Sequence, residues 1–219
     1  MWYSGAVVSM KILPILCLLL GGCAAQSYTY TPGATLLSGL QDYKGEMQRI
    51  GNSVTRWPER QETAGTLKTV ALATLGGSRE FSRLIDLDLR KREFNITLSE
   101  GSVRPERARE MNEELVKIDE EIAALKPVVR AQIAALPASR DSQPRLESAA
   151  TIGLLTLAID NFSANGARGF DAPSTRVGEY QVTDLGSFAR VRAPDGRNHR
   201  CAIYAEPGEG AALRCEPLP

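Results

Sequence analysis

The chain has 219 residues, 26 Lys+Arg against 26 Asp+Glu, a single histidine, 43% hydrophobic residues and only 6% aromatic ones. That length fits one domain, or one domain with a small appendage, and the apolar content suits a folded chain rather than a disordered one. Zero formal net charge removes a strong electrostatic case for nucleic acid as the main partner. A lone His199 excludes multi-histidine metal sites and argues against histidine-based catalysis.

At the N-terminus, Met10-Lys11 is followed by the uncharged run Ile12 to Leu20 and then by Gly21-Gly22-Cys23. A basic residue, a short apolar run and small residues before a cleavage point make a secretory signal, and the run is far short of the ~20 residues that span a bilayer as a helix. Residues 1–22 are read as this signal, with Met10 the better start. The stretch 10–23, ending in Leu20-Gly21-Gly22-Cys23, resembles the lipobox signal of bacterial lipoproteins. The resemblance implies that Cys23 is acylated on its sulfur, becomes the new N-terminus and is acylated again. Two or more chains give stable anchoring where one does not. Ala24, in place of an aspartate, implies by the same resemblance an outer-membrane address, with the body facing the periplasm. Cys17 would leave with the signal.

Residues 23–34, with Pro32-Gly33, read as a lipidated tether. The body follows over 35–166. Leu36, Leu40, Tyr43, Met47, Ile50 and Val54 recur at spacings of three and four, as do Met111, Leu115, Ile118, Ile122, Leu125 and Val129; each set makes one helical stripe. The second stripe slips at Gln132 and resumes at Ile133 and Leu136. Between the stripes, 61–75 is a helix stopped by Gly76-Gly77. Ser78 is an N-cap with Glu80 in the first turn, opening a helix over 78–97. Ser99-Glu100-Gly101-Ser102 is a turn, and Pro105 opens the long helix 105–136. The two form a hairpin, kinked at Pro127. Residues 137–144 are a loop. Leu146 to Phe162 is apolar nearly all round and should be the central buried helix, ended by Asn165-Gly166.

Residues 167–219 form a separate module, in which the period changes to two from about 177, with turns at Pro194-Asp195-Gly196 and 206–210. In the second hairpin Cys201, Ile203 and Ala205 oppose Cys215, Leu213 and Ala211 in one register. This pairing predicts a Cys201–Cys215 disulfide, which an exported chain would keep; the alternative is two buried free thiols. The expected fold is therefore α+β, predominantly α: a helical bundle with a long hairpin, then a small antiparallel β module.

No nucleophile-elbow, P-loop, dinucleotide-binding, Ser-x-x-Lys or zinc-protease motif occurs. His199, Cys201 and Cys215 make an incomplete zinc set, so no metal or cofactor is expected. Asp86-x-Asp88 and Asp119-Glu120-Glu121 read as solvated faces, because adjacent helical residues do not face one another. Arg190, Arg192, Arg197 and Arg200, with Tyr204 nearby, form a possible face for an anionic ligand or glycan. The expectation is a non-catalytic envelope adaptor or scaffold that meets another envelope protein through its helical body. The alternative is an envelope enzyme, an enzyme inhibitor, or a binder of anionic ligands using the arginine-rich strands.

Overall fold

The computed structural model describes residues 31–51, 53–137, 142–163, 172–206 and 210–219. Cys23, the signal and Asn165-Gly166 lie outside them. The described residues form five α-helices followed by a five-stranded antiparallel sheet. No helix among them is long and apolar enough to cross a membrane.

Helix α1 runs Pro32–Ile50, three residues earlier than the tether reading allowed. Pro32-Gly33 belongs to the helix rather than to the tether. Thr31 is an extended N-cap whose hydroxyl accepts from Ala34 N, and Pro32 takes the first helical position, where a missing N–H costs nothing. Gly51, at φ +58°, ends the helix. A 3₁₀ turn, Val54–Arg56, leads into α2, Trp57–Thr74. Here Arg60, 1% exposed, donates to the carbonyls of Gly51 and Ser53 and so closes the end of α1 from the next element.

Helix α3 spans Arg79–Ser99 and α4 Pro105–Ala134. Ser78 caps α3, accepting from Phe81 N at 3.0 Å. The same hydroxyl donates to Gln132 Oε1 at 2.7 Å, while Gln132 Nε2 donates to Glu80 at 3.0 Å. The slip in the second stripe thus places a polar side chain where the end of α4 is fastened to the start of α3. Helix α4 continues through Pro127. Helix α5, Ser142–Asp160, begins inside the stretch read as a loop. It is the central element, packing on α1, α4 and the sheet.

The strands β1 (Ser174–Val177), β2 (Tyr180–Asp184), β3 (Ala189–Arg192), β4 (Asn198–Glu206) and β5 (Gly210–Pro217) pair in sequence order as a meander. Cys201 opposes Cys215, Ile203 opposes Leu213 and Ala205 opposes Ala211, as the sequence register required. The two cysteines form a disulfide, with Cα atoms 4.0 Å apart.

Along the chain helices and strands are segregated, but in space they share one core. Val182, Ala189, Val191, Cys201, Ala211 and Leu213 on the inner sheet face join Leu36, Leu40, Phe81, Ile133 and Leu155 in a continuous buried cluster. Gly153 of α5 allows the closest approach: a Cβ there would lie 2.7 Å from Cβ of Val182. The start of α1 is tied to the sheet edge, with Thr31 N donating to Ala211 O at 3.0 Å and Ala211 N to Thr35 Oγ1 at 3.1 Å.

Candidate functional site

Strand alternation sends Ser174, Arg176, Gln181, Thr183, Arg190, Arg192, Asn198 and Arg200 to the outer face of the sheet. The register makes two rows of them. One runs Ser174, Thr183, Arg190, Arg200 and Glu216; the other runs Arg176, Gln181, Arg192 and Asn198. All four arginines are exposed. Arg200 lies over the Phe188 ring, 5.0 Å from its centroid. The surface between the rows dips into a shallow trough of about 300 Å³ lined by Gln181, Thr183, Arg190, Arg192, Gly196 and Asn198.

This face differs from the one read in the sequence. Arg197 belongs to the β3–β4 turn and is occupied there: its Nε donates to Asp195 Oδ2 at 2.6 Å, and the pairing holds the Asp195 carboxyl below its usual range. Tyr204 shares the outer face further along β4 and is 41% exposed. Arg176 joins the group because β1 begins at Ser174. The sign that could have found it is Gly178-Glu179, a two-residue hairpin connection.

Asp86 is exposed and pairs with Lys68, as a solvated face should. Asp88 does not fit that reading. It is 1% exposed and sits at the centre of a buried network. Tyr43 Oη donates to its Oδ2 at 2.6 Å, Arg92 Nε to the same oxygen at 2.7 Å, and Ser163 Oγ to Oδ1 at 2.8 Å. Burial, reinforced by the Asp88 carboxylate, pushes the Tyr43 phenol far above its ordinary range. Tyr43 also stacks on Phe162. Every oxygen is satisfied by a neighbouring element, so the cluster fastens α1, α3 and the end of α5 together.

A larger cavity, about 550 Å³, opens between the start of α1, the ends of α2 and α4, α5 and β5. Its lining is mostly apolar, with Pro32, Ala73, Leu136, Ile152 and Leu213; its two charges, Glu147 and Arg214, lie 3.8 Å apart and face each other. Among the described residues no three His, Cys, Asp or Glu side chains converge as metal ligands. Cys201 and Cys215 are spent on each other, and His199 is on the inner face between Val191 and Pro217.

The hairpin α3–α4 extends beyond the rest of the bundle. Helix α4, with 30 residues, is about 45 Å long against about 28 Å for the 19 residues of α5. The end of α5 meets α4 at Lys126 and Arg130, so the early turns of α4 rest mainly on α3. There Pro105, Ala108 and Val116 line an open depression edged by Arg109, Asn112 and Glu113. Val116 is 59% exposed.

Comparison of the chain with protein-family models, with curated proteins and with solved structures finds no match.

Proposed function

We propose that this chain is a membrane-anchored lipoprotein of the bacterial envelope, held at the outer membrane by acylated Cys23 and facing the periplasm. It acts as a non-catalytic adaptor that binds another envelope protein through its helical body. The observation that carries the adaptor reading is Val116, a large apolar side chain 59% exposed on the projecting end of the hairpin. Such a residue beside Ala108 and Pro105 suits insertion into a partner's groove, with the Arg109–Glu113 pair at the rim. The anchor supports the same reading. Thr31 is eight positions after Cys23, a reach of at most about 29 Å, and it is bonded directly to the sheet edge. The body would therefore stay close to the lipid surface. The buried acid of the bundle, Asp88, is engaged by Tyr43, Arg92 and Ser163 rather than presented to a cavity.

Two measurements test this. Mass spectrometry of the mature N-terminus should find a diacylglyceryl cysteine at Cys23, and Cys23→Ala should leave the precursor uncleaved at that point; an unmodified N-terminus elsewhere removes the anchor. A photo-crosslinking residue at position 116 of the anchored protein should give one discrete protein adduct in intact cells, and one at Glu106 or Lys117 a weaker yield of the same adduct. No adduct at 116 removes the adaptor reading and leaves the anchor standing.

A further inference from the structure

We propose that the outer face of the sheet is a binding site for an anionic glycan, with Arg176, Arg190, Arg192 and Arg200 taking its carboxylate or phosphate groups. The amides of Gln181 and Asn198 and the hydroxyl of Thr183 take adjacent sugar hydroxyls. The site shares no residue with the anchor or with the end of the hairpin, and depends on neither.

The register carries the inference. Arg190 stands directly opposite Arg200, and like charges at opposed positions destabilise a pair of strands. A surface that needed only solubility would alternate sign, as the helices of this molecule do: Lys68 meets Asp86, Arg83 meets Glu121 and Arg130 meets Asp160 across helices. On the sheet, Arg176, Arg190 and Arg192 have no carboxylate partner among the described residues. The one acid in the rows is Glu216, at the edge opposite Arg200. A local cost left uncompensated is what a binding surface shows before its ligand arrives.

The side-chain types narrow the ligand. A guanidinium presents a planar fork that matches carboxylate and phosphate oxygens, which a lysine does not. Arg190 and Arg200 stand on neighbouring strands, about 4.8 Å apart, and Arg176 and Arg192 are two strands apart with Gln181 between them, so the face spreads its guanidinium groups over several strands rather than into one pocket. Between the arginines are neutral donors and acceptors, Gln181, Thr183 and Asn198. That mixture suits a chain bearing hydroxyls and oxyanions together. A protein partner would call for an apolar centre, and a bilayer for apolar side chains that insert; the trough lining has neither.

The full-length protein in detergent micelles is titrated with polygalacturonate, with a phosphorylated mannan and with neutral dextran, and separately with vesicles containing phosphatidylglycerol. Binding of either anionic polysaccharide, weakened by salt and absent for dextran, is the expected result. The double variant Arg190→Gln/Arg192→Gln should lose about tenfold or more in affinity, while Arg197→Gln, whose guanidinium is held by Asp195, should bind as the parent does. Thermal unfolding of both variants checks that the fold is kept. Four outcomes overturn the proposal: equal binding of dextran, equal losses in the Arg197 and the double variant, binding of anionic vesicles without either polysaccharide, or no binding of any anionic polysaccharide.

Discussion

The bundle and the sheet carry similar charged residues and treat them in opposite ways. On the helices, basic side chains meet acids one turn away or on the next helix, as in Arg49–Glu46, Arg56–Glu59, Arg107–Glu110 and Arg83–Glu121. Helical spacing makes such matches local. On the outer sheet face, the pairing partner is set by strand register, and the register brings Arg190 to Arg200. Charge in the bundle is therefore part of how it is fastened, whereas charge on the sheet is available to something else. The inner faces show no such division, because helices and sheet bury one common core.

The bundle's deepest charge should be its most sensitive point. Asp88→Ala leaves the Tyr43 hydroxyl, Ser163 and Arg92 without their shared acceptor. Removing one partner of a buried, hydrogen-bonded charge costs about 3–5 kcal/mol, and the lower part of that range applies here because Arg92 is 37% exposed. Urea unfolding should report the loss. A change below about 1 kcal/mol would mean that the network is incidental to the bundle.

Loss of the disulfide asks whether the sheet is a separate unit. The bond closes a short loop, with a sequence separation of 14, and the chain-entropy model assigns such a loop about 3 kcal/mol. Cys201→Ala/Cys215→Ala should lower stability by about that amount in a single transition followed by both far-ultraviolet circular dichroism and tryptophan fluorescence. Trp57 is in α2, so it reports from the bundle. An early sheet transition that leaves Trp57 unmoved would show that the shared core does not couple the regions.

Gly153 sits at the joint itself. Alanine normally favours a helix over glycine by about 1 kcal/mol, yet here its methyl would press on Val182. Overpacking of this kind costs about 1–3 kcal/mol, so Gly153→Ala should destabilise by about 1 kcal/mol net. Gly153→Ala/Val182→Ala should be destabilised by less than the sum of the two single effects, since contacting sites couple. Destabilisation that is simply additive in the double variant would place the strain elsewhere.

How far this could be read in advance depended on the distance between partners. The stripe from Leu36 as far as Ile50, with Val54 falling beyond the end of α1 in the 3₁₀ turn, the stripe from Met111, the Ser78 cap and the Cys201–Cys215 register were legible, because each rests on periodicity or on a short loop. Asp88 was not: its burial is made by Tyr43 and Ser163, 45 and 75 residues away, and nothing in Asp86-x-Asp88 distinguishes the solvated acid from the buried one. Gln132 was visible as a break in a stripe, but its meaning required Ser78 across the hairpin. On the candidate face, clustering along the β3–β4 hairpin identified Arg190, Arg192 and Arg200. Arg197 was misplaced because proximity in sequence hid its turn pairing with Asp195, and Arg176 was missed with the strand that carries it. Alternation also says which strand residues turn inward without saying what they meet, so the common core with α5 was beyond it.

The smallest expected effect separates the two treatments of charge most directly, because it predicts opposite signs. Arg83 makes a two-pronged contact with Glu121, at 2.7 and 2.9 Å, on the exposed side of the hairpin. Arg83→Gln should lower stability by about 0.2–1 kcal/mol, the range for exposed ion pairs. Arg190→Gln keeps a long polar side chain in the strand and removes the repulsion from Arg200. It should raise stability by a few tenths of a kcal/mol, within the span of cross-strand pair energies. Salt sharpens the contrast: added sodium chloride screens the attraction at Arg83 and the repulsion at Arg190, so both differences from the parent should shrink toward zero. Parallel thermal melts at low and high salt can resolve this, because the sign of each shift matters more than its size. A loss of stability in Arg190→Gln that persists in high salt would mean that this arginine supports the sheet through packing of its stem. The outer face would then be balanced like the helices, and the distinction between the two regions would fail.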